Sequence, residues 1–506
     1  MNKRIIVIFI PLLLSFFSVH SEDRYYYNMT DGCLEVMNHI SSLRLTEARR
    51  IIEVEKKRMP GNNIPYWLED YLDFLDVIID EELPLYNQFL EARKGRVNRL
   101  NHGDESSPWF NYCKADLDLH RGLAGLKFGD YIASVRTISR AYSQFEINRK
   151  KFPDFYPSLI QMGFLHVLVG SIPDSYKWVA KLAGFKGTVS GGLSELEEVY
   201  AWSIKENDRV FYSSQSLFLL SFIYMNIDAE HKRAIALKQR VIKSNGGSVN
   251  LEPFEAYAVG SICFKLSHGD EALKILEGRA LGGGRKHIPY LDFMTGSAYL
   301  MADSDRAITY LTRYAKNFKG RNFIKAAWQR IGWYYLLRGD TVNYRNAMSN
   351  VLSRGYSVVD ADKLAEKEAK LKTIPHVGLL KARLLSDGGY YDRALALLKE
   401  SSFRRTLYTK AHIVEYQYRI ARVLDEQDKD DQAIVEYTKV YELASKDPWY
   451  YAANSCIKIA AILEERGEKV QASIWYARCL DLDFEEYKNS LSQKAKAGLE
   501  RTCKTK

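Results

Sequence analysis

Alanines recur in the second half of the chain just after a polar turn and four residues before a bulky side chain. Ala234, Ala272, Ala307, Ala394, Ala433 and Ala472 follow Lys232-Arg233, Asp270-Glu271, Asp305-Arg306, Asp392-Arg393, Asp431-Gln432 and Val470-Gln471. Four positions on stand Lys238, Leu276, Leu311, Leu398, Tyr437 and Tyr476, all but the first apolar or aromatic. A spacing of four places both members of each pair on one helix face. Apart from one wider gap, successive copies lie roughly 35–39 residues apart, which predicts a repeating helix unit. Upstream of each alanine a first helix is expected. Its best copy is Trp328-x-x-Ile331-Gly332-x-x-Tyr335, followed by Gly339-Asp340 at the turn and a short insertion before Ala347. Gly296-x-x-Tyr299 repeats half of that pattern. The small residues belong where two helices cross closely, since a larger side chain would force them apart.

The Trp-x-x-Ile-Gly-x-x-Tyr run matches the tetratricopeptide signature, whose usual period is about 34. The expected fold is therefore an all-α, tetratricopeptide-type helical-repeat solenoid over 211–506, preceded by a less regular helical region over 22–210. Near the N-terminus Ala48, Ile52 and Pro60 stand at second-helix spacings. From about 61 to 210 the pattern is helical without a clean period. This stretch contains Tyr66-Trp67-Leu68-Glu69-Asp70-Tyr71-Leu72-Asp73-Phe74 and loops such as Asn101-His102-Gly103-Asp104. A boundary is expected near 205–212, at Lys205-Glu206-Asn207-Asp208.

One segment, 152–196, carries a more specific signal. Phe152-Pro153-Asp154-Phe155-Tyr156-Pro157 leads into a helix with Gly163-Phe164-Leu165-His166. Ile172-Pro173, Tyr176-Lys177-Trp178, Gly184-Phe185-Lys186-Gly187 and Gly191-Gly192-Leu193 follow. Over roughly 113–200 this resembles the tetratricopeptide-repeat family that includes the yeast inclusion-body clearance protein and its animal relatives. The resemblance implies a non-enzymatic helical-repeat chain. Ile172-Pro173 and the 184–187 loop are expected to fold one helical stretch back as a hairpin, burying Trp178 and Phe185.

Segment 1–21 departs from that intracellular family. Lys3-Arg4, an apolar run over 5–17 and Ser21 before Glu22-Asp23 read as a signal peptide. With the single Asn28-Met29-Thr30 sequon, it suggests a bacterial exported member, periplasmic or secreted after cleavage. No other stretch is apolar enough to span a membrane. The net charge of +9 is thinly spread, with basic clusters no longer than Lys56-Lys57-Arg58, so nucleic acid is not expected as a partner. The 12 prolines are too few for a many-stranded sandwich. Cys33, Cys113, Cys263, Cys456, Cys479 and Cys503 lack metal or redox spacing and read as packing residues, although a Cys456–Cys479 disulfide stays open.

No His-Glu-x-x-His, nucleophile elbow or Gly-Lys-Ser/Thr phosphate loop occurs, and Lys186-Gly187-Thr188 has the wrong order for the last. His166 reads as a hydrogen-bonded helix residue rather than a ligand. No enzyme activity, cofactor or metal is expected. The expected function is to hold a protein or peptide partner in a concave groove. The alternative is a periplasmic or surface glycan- or small-ligand-binding helical protein. Taking Gly260, Gly296 and Gly332 as the eighth positions of their first helices, Phe254, Tyr257, Ser261, Phe264, Lys265, Tyr290, Phe293, Leu300, Trp333 and Leu336 should face that groove. Further on, Arg383, Asp387, Glu415, Arg422, Asp425 and Glu426 should make it charged.

Overall fold

The computed structural model describes residues 25–172, 184–206, 209–227 and 231–503. The expected signal segment, Pro173 and Trp178 lie outside them. The described residues form helices α1 (Asp31–Ser41), α2 (Leu45–Arg58), α3 (Ile64–Asp80), α4 (Leu83–Leu100), α5 (Pro108–Phe128), α6 (Tyr131–Lys151), α7 (Pro157–Gly170) and α8 (Val189–Ser203). The regular pairs follow: α9 (Val210–Asn226) with α10 (His231–Ser244), α11 (Pro253–Lys265) with α12 (Gly269–Gly278), and α13 (Pro289–Met301) with α14 (Ala307–Asn317). Next come α15 (Ile324–Leu337) with α16 (Thr341–Ser353), a single helix α17 (Asp360–Leu371), and α18 (Val377–Asp387) with α19 (Tyr391–Lys399). The last are α20 (Lys410–Asp425) with α21 (Asp430–Ala444), α22 (Tyr450–Glu465) with α23 (Lys469–Asp481), and a closing α24 (Lys488–Cys503). Among the described residues there is no strand, only isolated bridges at Tyr25–Gly103 and Tyr26–Asn62. The architecture is an all-α stack of helix pairs.

Local chemistry starts these helices where the sequence placed them. Pro65, Pro84, Pro108, Pro157, Pro253 and Pro289 sit in first turns, where a missing N–H costs nothing. Thr30, Thr188 and Thr409 accept a backbone N–H from the first turns of α1, α8 and α20. The repeat phase is as read: Ala234, Ala272, Ala307, Ala347, Ala394, Ala433 and Ala472 are 0–2% exposed. A Cβ added at Gly260, Gly296 or Gly332 would come within 2.8 Å of Leu276, 2.7 Å of Leu311 or 2.6 Å of Met348. Lys238, the polar exception at the bulky position, is buried with its ammonium 2.7 Å from Glu271. The wide gap between Ala347 and Ala394 holds α17.

In the 152–196 segment, α7 and α8 cross so closely that a Cβ on Gly192 would lie 2.3 Å from the Gly163 carbonyl. Phe185 is half-buried, its ring edge-on to Tyr142 at 5.1 Å. The Tyr142 hydroxyl donates to the Lys186 carbonyl (2.7 Å), pinning the loop. His166 is half-buried with Nδ1 2.6 Å from Glu195.

Among the described residues, the core is continuous on both sides of 205–212. One core runs from Cys33 to Ile275, with the Trp67 ring edge-on to Phe211 of α9 at 6.3 Å. The N-terminal helices also fold back onto the repeats. α1 packs on α9, and the Lys286 N–H donates to the Leu43 carbonyl (2.8 Å). The Lys286 ammonium lies 2.9 and 2.6 Å from Asp76 and Asp80. The five cysteines Cys33, Cys113, Cys263, Cys456 and Cys479 are buried free thiols, and Cys503 is exposed. Burial pushes the Cys479 thiol up to about 12, so it carries little thiolate.

Candidate binding cavity

Successive first helices α9, α11 and α13 present a concave aromatic face, and α3 and α5 are laid across it. Between them lies a cavity of about 570 Å³. Its floor carries Phe218, Phe254, Tyr257, Phe264, Tyr290 and Met294, and its roof carries Tyr71, Phe74, Ile78, Leu119 and Leu123. Tyr257 packs on Phe218 (4.9 Å between centroids) and approaches Tyr290 (6.2 Å), making a continuous aromatic floor. Phe254, Tyr257, Ser261, Phe264, Lys265 and Tyr290, expected in the groove, therefore line one cavity.

Phe293, Leu300, Trp333 and Leu336 are also on the concave side but are buried. The cover is α18, which packs on α13 and α15 and places Leu380 and Leu384 in the same apolar cluster. Turn contacts hold it there. The Gly269 N–H donates to the Gly388 carbonyl (3.0 Å), and Lys381 pairs with Asp303 at 2.7 Å. Gly389, at φ +83°, lies so near Ser267 that a Cβ would meet its carbonyl oxygen at 1.8 Å. Only glycine fits this turn.

Arg383, on α18, stacks on Trp333 at 4.7 Å. Arg330 lies over Phe293 at 4.6 Å and 6.0 Å from the same Trp333 ring. Burial, with repulsion from Arg383, pulls the Arg330 guanidinium down to about 10 from 12.5 against the pull of Tyr290 and nearby acids. Neither arginine has an ion-paired carboxylate among the described residues. Beyond them the inner-face charges are paired: Arg419 with Glu415 (2.8 Å), Arg422 with Glu426 (2.9 Å) and Asp425 with Lys458 (2.9 Å). Asp387 is exposed.

The roof is held by charge. His120 is buried, its Nδ1 2.9 Å from Asp70 and its Nε2 3.4 Å from Asp116. Phe74 stacks on its ring at 4.4 Å. Burial alone would lower the imidazole pKa, but Asp116 and Asp70 outweigh it and the net shift is upward from 6.5. Asp116 is raised as well, by burial, against the opposing His120 and Trp67. Both groups hold a proton more tightly folded than unfolded; the Asp116 contribution is complete only below the unfolded carboxylate value, and that of His120 below the unfolded histidine value. Each is lost as pH rises through the raised folded value. Urea titrations of wild type and His120→Gln should therefore differ most at mildly acid pH and converge in alkali. Parallel stability curves across that range would contradict this assignment.

Sequence reasoning missed both covers, α3 with α5 and α18. The available signal was the 66–74 run, whose apolar residues are too many for one helix face and so imply burial on two sides.

No family model and no curated protein matches this chain. Among solved structures it is similar to the TPR domain of P58(IPK), at 15% identity over 83% of this chain and 96% of that one, with a TM-score of 0.21. It is also similar to the yeast Tom70, at 14% identity over 85% of this chain and 97% of that one, with a TM-score of 0.23. At superpositions this low, the architecture rests on the helix pairs themselves. Among the described residues no helix is long and apolar enough to cross a membrane, and no group of His, Cys, Asp and Glu is arranged to hold a metal ion.

Proposed function

We propose that this chain is an exported, non-catalytic helical-repeat scaffold that holds an acidic segment of a partner protein. The segment lies against the inner face of its C-terminal repeats. The observation behind this reading is the Arg330–Arg383 pair: two guanidinium groups share the Trp333 ring, repel each other and form no ion pair among the described residues, Asp362 and Asp387 acting on Arg330 only from a distance. The neighbouring Arg419 and Arg422 are neutralised within the chain. An incoming carboxylate would relieve that repulsion and gain charge-assisted hydrogen bonds. Half-buried Tyr450 and Tyr451 and the exposed Tyr487 extend the same surface and offer flat apolar contacts beside it. Export is part of the proposal and rests on the 1–21 pattern.

Arg383→Glu should weaken capture of an acidic partner by about tenfold or more, since a hydrogen bond to a charged group is worth about 1.5–3 kcal/mol. Quantitative cross-linking from the native envelope fraction measures it, with Lys265→Glu as the comparison variant. Equal recovery by wild type and Arg383→Glu would end this reading.

A further inference from the structure

The cavity between α3, α5 and the first helices α9, α11 and α13 has a polarity that the scaffold reading does not use. Its volume, about 570 Å³, lies within the range of roughly 300–1,000 Å³ typical of small-molecule sites. Phe74, Ile78, Phe164, Phe218, Phe254 and Tyr290 give it a mainly apolar wall, interrupted by Gln161, Gln215, Ser261 and Asn322. Three lining residues are solvent-exposed: Phe222 and Asn226 on α9, and Lys265 at the end of α11. They mark the mouth.

The charged groups deeper in the wall are already satisfied. Lys127 pairs with Glu81, and His120 sits between Asp70 and Asp116. Among the described lining residues, Lys265 is the one charge without a partner. A mainly apolar interior opening beside a single free ammonium is complementary to a molecule with a long apolar tail and one negative head. We propose that this cavity binds a single-chain acidic amphiphile of the long-chain carboxylate class. The tail lies on the Phe218–Phe254–Tyr257–Tyr290 floor, and the carboxylate meets the Lys265 ammonium and the Asn226 amide at the mouth. A sugar is disfavoured, because the unpartnered Gln215 Oε1 and Asn322 Oδ1 are too few to replace its water.

The test uses the full chain, with the fluorescent cis-parinaric acid as probe and palmitate as competitor. Wild type should give saturable binding of one probe per chain, displaced by palmitate. Affinity should fall about fourfold for each methylene removed between palmitate and laurate, the effect of losing one buried CH₂. Lys265→Glu, at an exposed position, should weaken palmitate about tenfold while leaving the uncharged hexadecanol unchanged. Ser261→Trp, which fills the cavity, should abolish binding of both, with circular dichroism reporting that the helices persist. Absence of saturable binding by wild type overturns the proposal. So does an equal response of palmitate and hexadecanol to Lys265→Glu. Neither outcome bears on partner capture through Arg383, which is read by a different variant.

Discussion

Replacing Glu81 by alanine is expected to destabilise the folded chain by about 3–5 kcal/mol, the usual result of removing one member of a buried charge pair. Glu81 follows α3, is 8% exposed, and joins parts of the chain 240 residues apart. Its carboxylate accepts the backbone N–H groups of Arg321 (3.0 Å) and Asn322 (2.9 Å) and the Asn322 side-chain amide (3.2 Å), and it pairs with Lys127. Alanine would strand these donors and leave the Lys127 ammonium half-buried beside the cavity without its partner. The backbone at Glu81 is left-handed, φ +55°, which costs a non-glycine residue roughly 1–2 kcal/mol. Glu81→Gly should therefore be about 1 kcal/mol less damaging than Glu81→Ala, although both lack the carboxylate. Urea titration of the three proteins measures both differences. Stability within about 1 kcal/mol of wild type for Glu81→Ala would show that this clasp does not hold the roof on the repeats.

That clasp also shows where sequence reading stops. The repeat phase was legible because its determinants are local: a small residue where two helices cross, a polar turn before the second helix, an apolar residue one turn further on. Ala272 with Leu276 and Gly332 with Met348 behave as those rules require. Glu81 meeting Asn322 is not local, and no periodicity marks it. Inner-face residues are harder still, because the same aromatic types suit a groove for another molecule and an interface within one chain. Phe254, Tyr257, Phe264 and Tyr290 came out lining one cavity, whereas Phe293 and Trp333, in the same helix phase, came out buried beneath α18. What separates them is the single helix α17, which interrupts the period and lets α18 turn back onto α13 and α15. The charged positions were legible as charged. Their pairing was not, and it is the pairing that singles out Arg383 and Lys265.

Trp67→Ala should cost about 3–5 kcal/mol, the range for emptying a large aromatic site, and the loss should spread beyond the N-terminal helices. Trp67 is fully buried, with Trp109 and Tyr112 at 5.5 Å and Phe211 at 6.3 Å between ring centroids. Phe211 belongs to α9, the first regular repeat, so this ring ties the two regions into one core. Its indole N–H also donates to Asp116 (2.8 Å), whose other oxygen has no partner. Trp67→Phe separates the two contributions: it keeps most of the apolar contact but strands the Asp116 acceptor, an expected loss of about 1–3 kcal/mol. Asp116 also faces His120, so Trp67→Phe and His120→Gln should be non-additive, whereas Trp67→Phe and the remote Arg383→Ala should add. Far-ultraviolet circular dichroism against urea, followed alongside fluorescence of the other tryptophans, reports whether the repeats unfold with the N-terminal helices. A transition in which Trp67→Ala melts the N-terminal helices alone, leaving the α11–α23 pairs at wild-type stability, would mean that the Phe211 contact does not couple them.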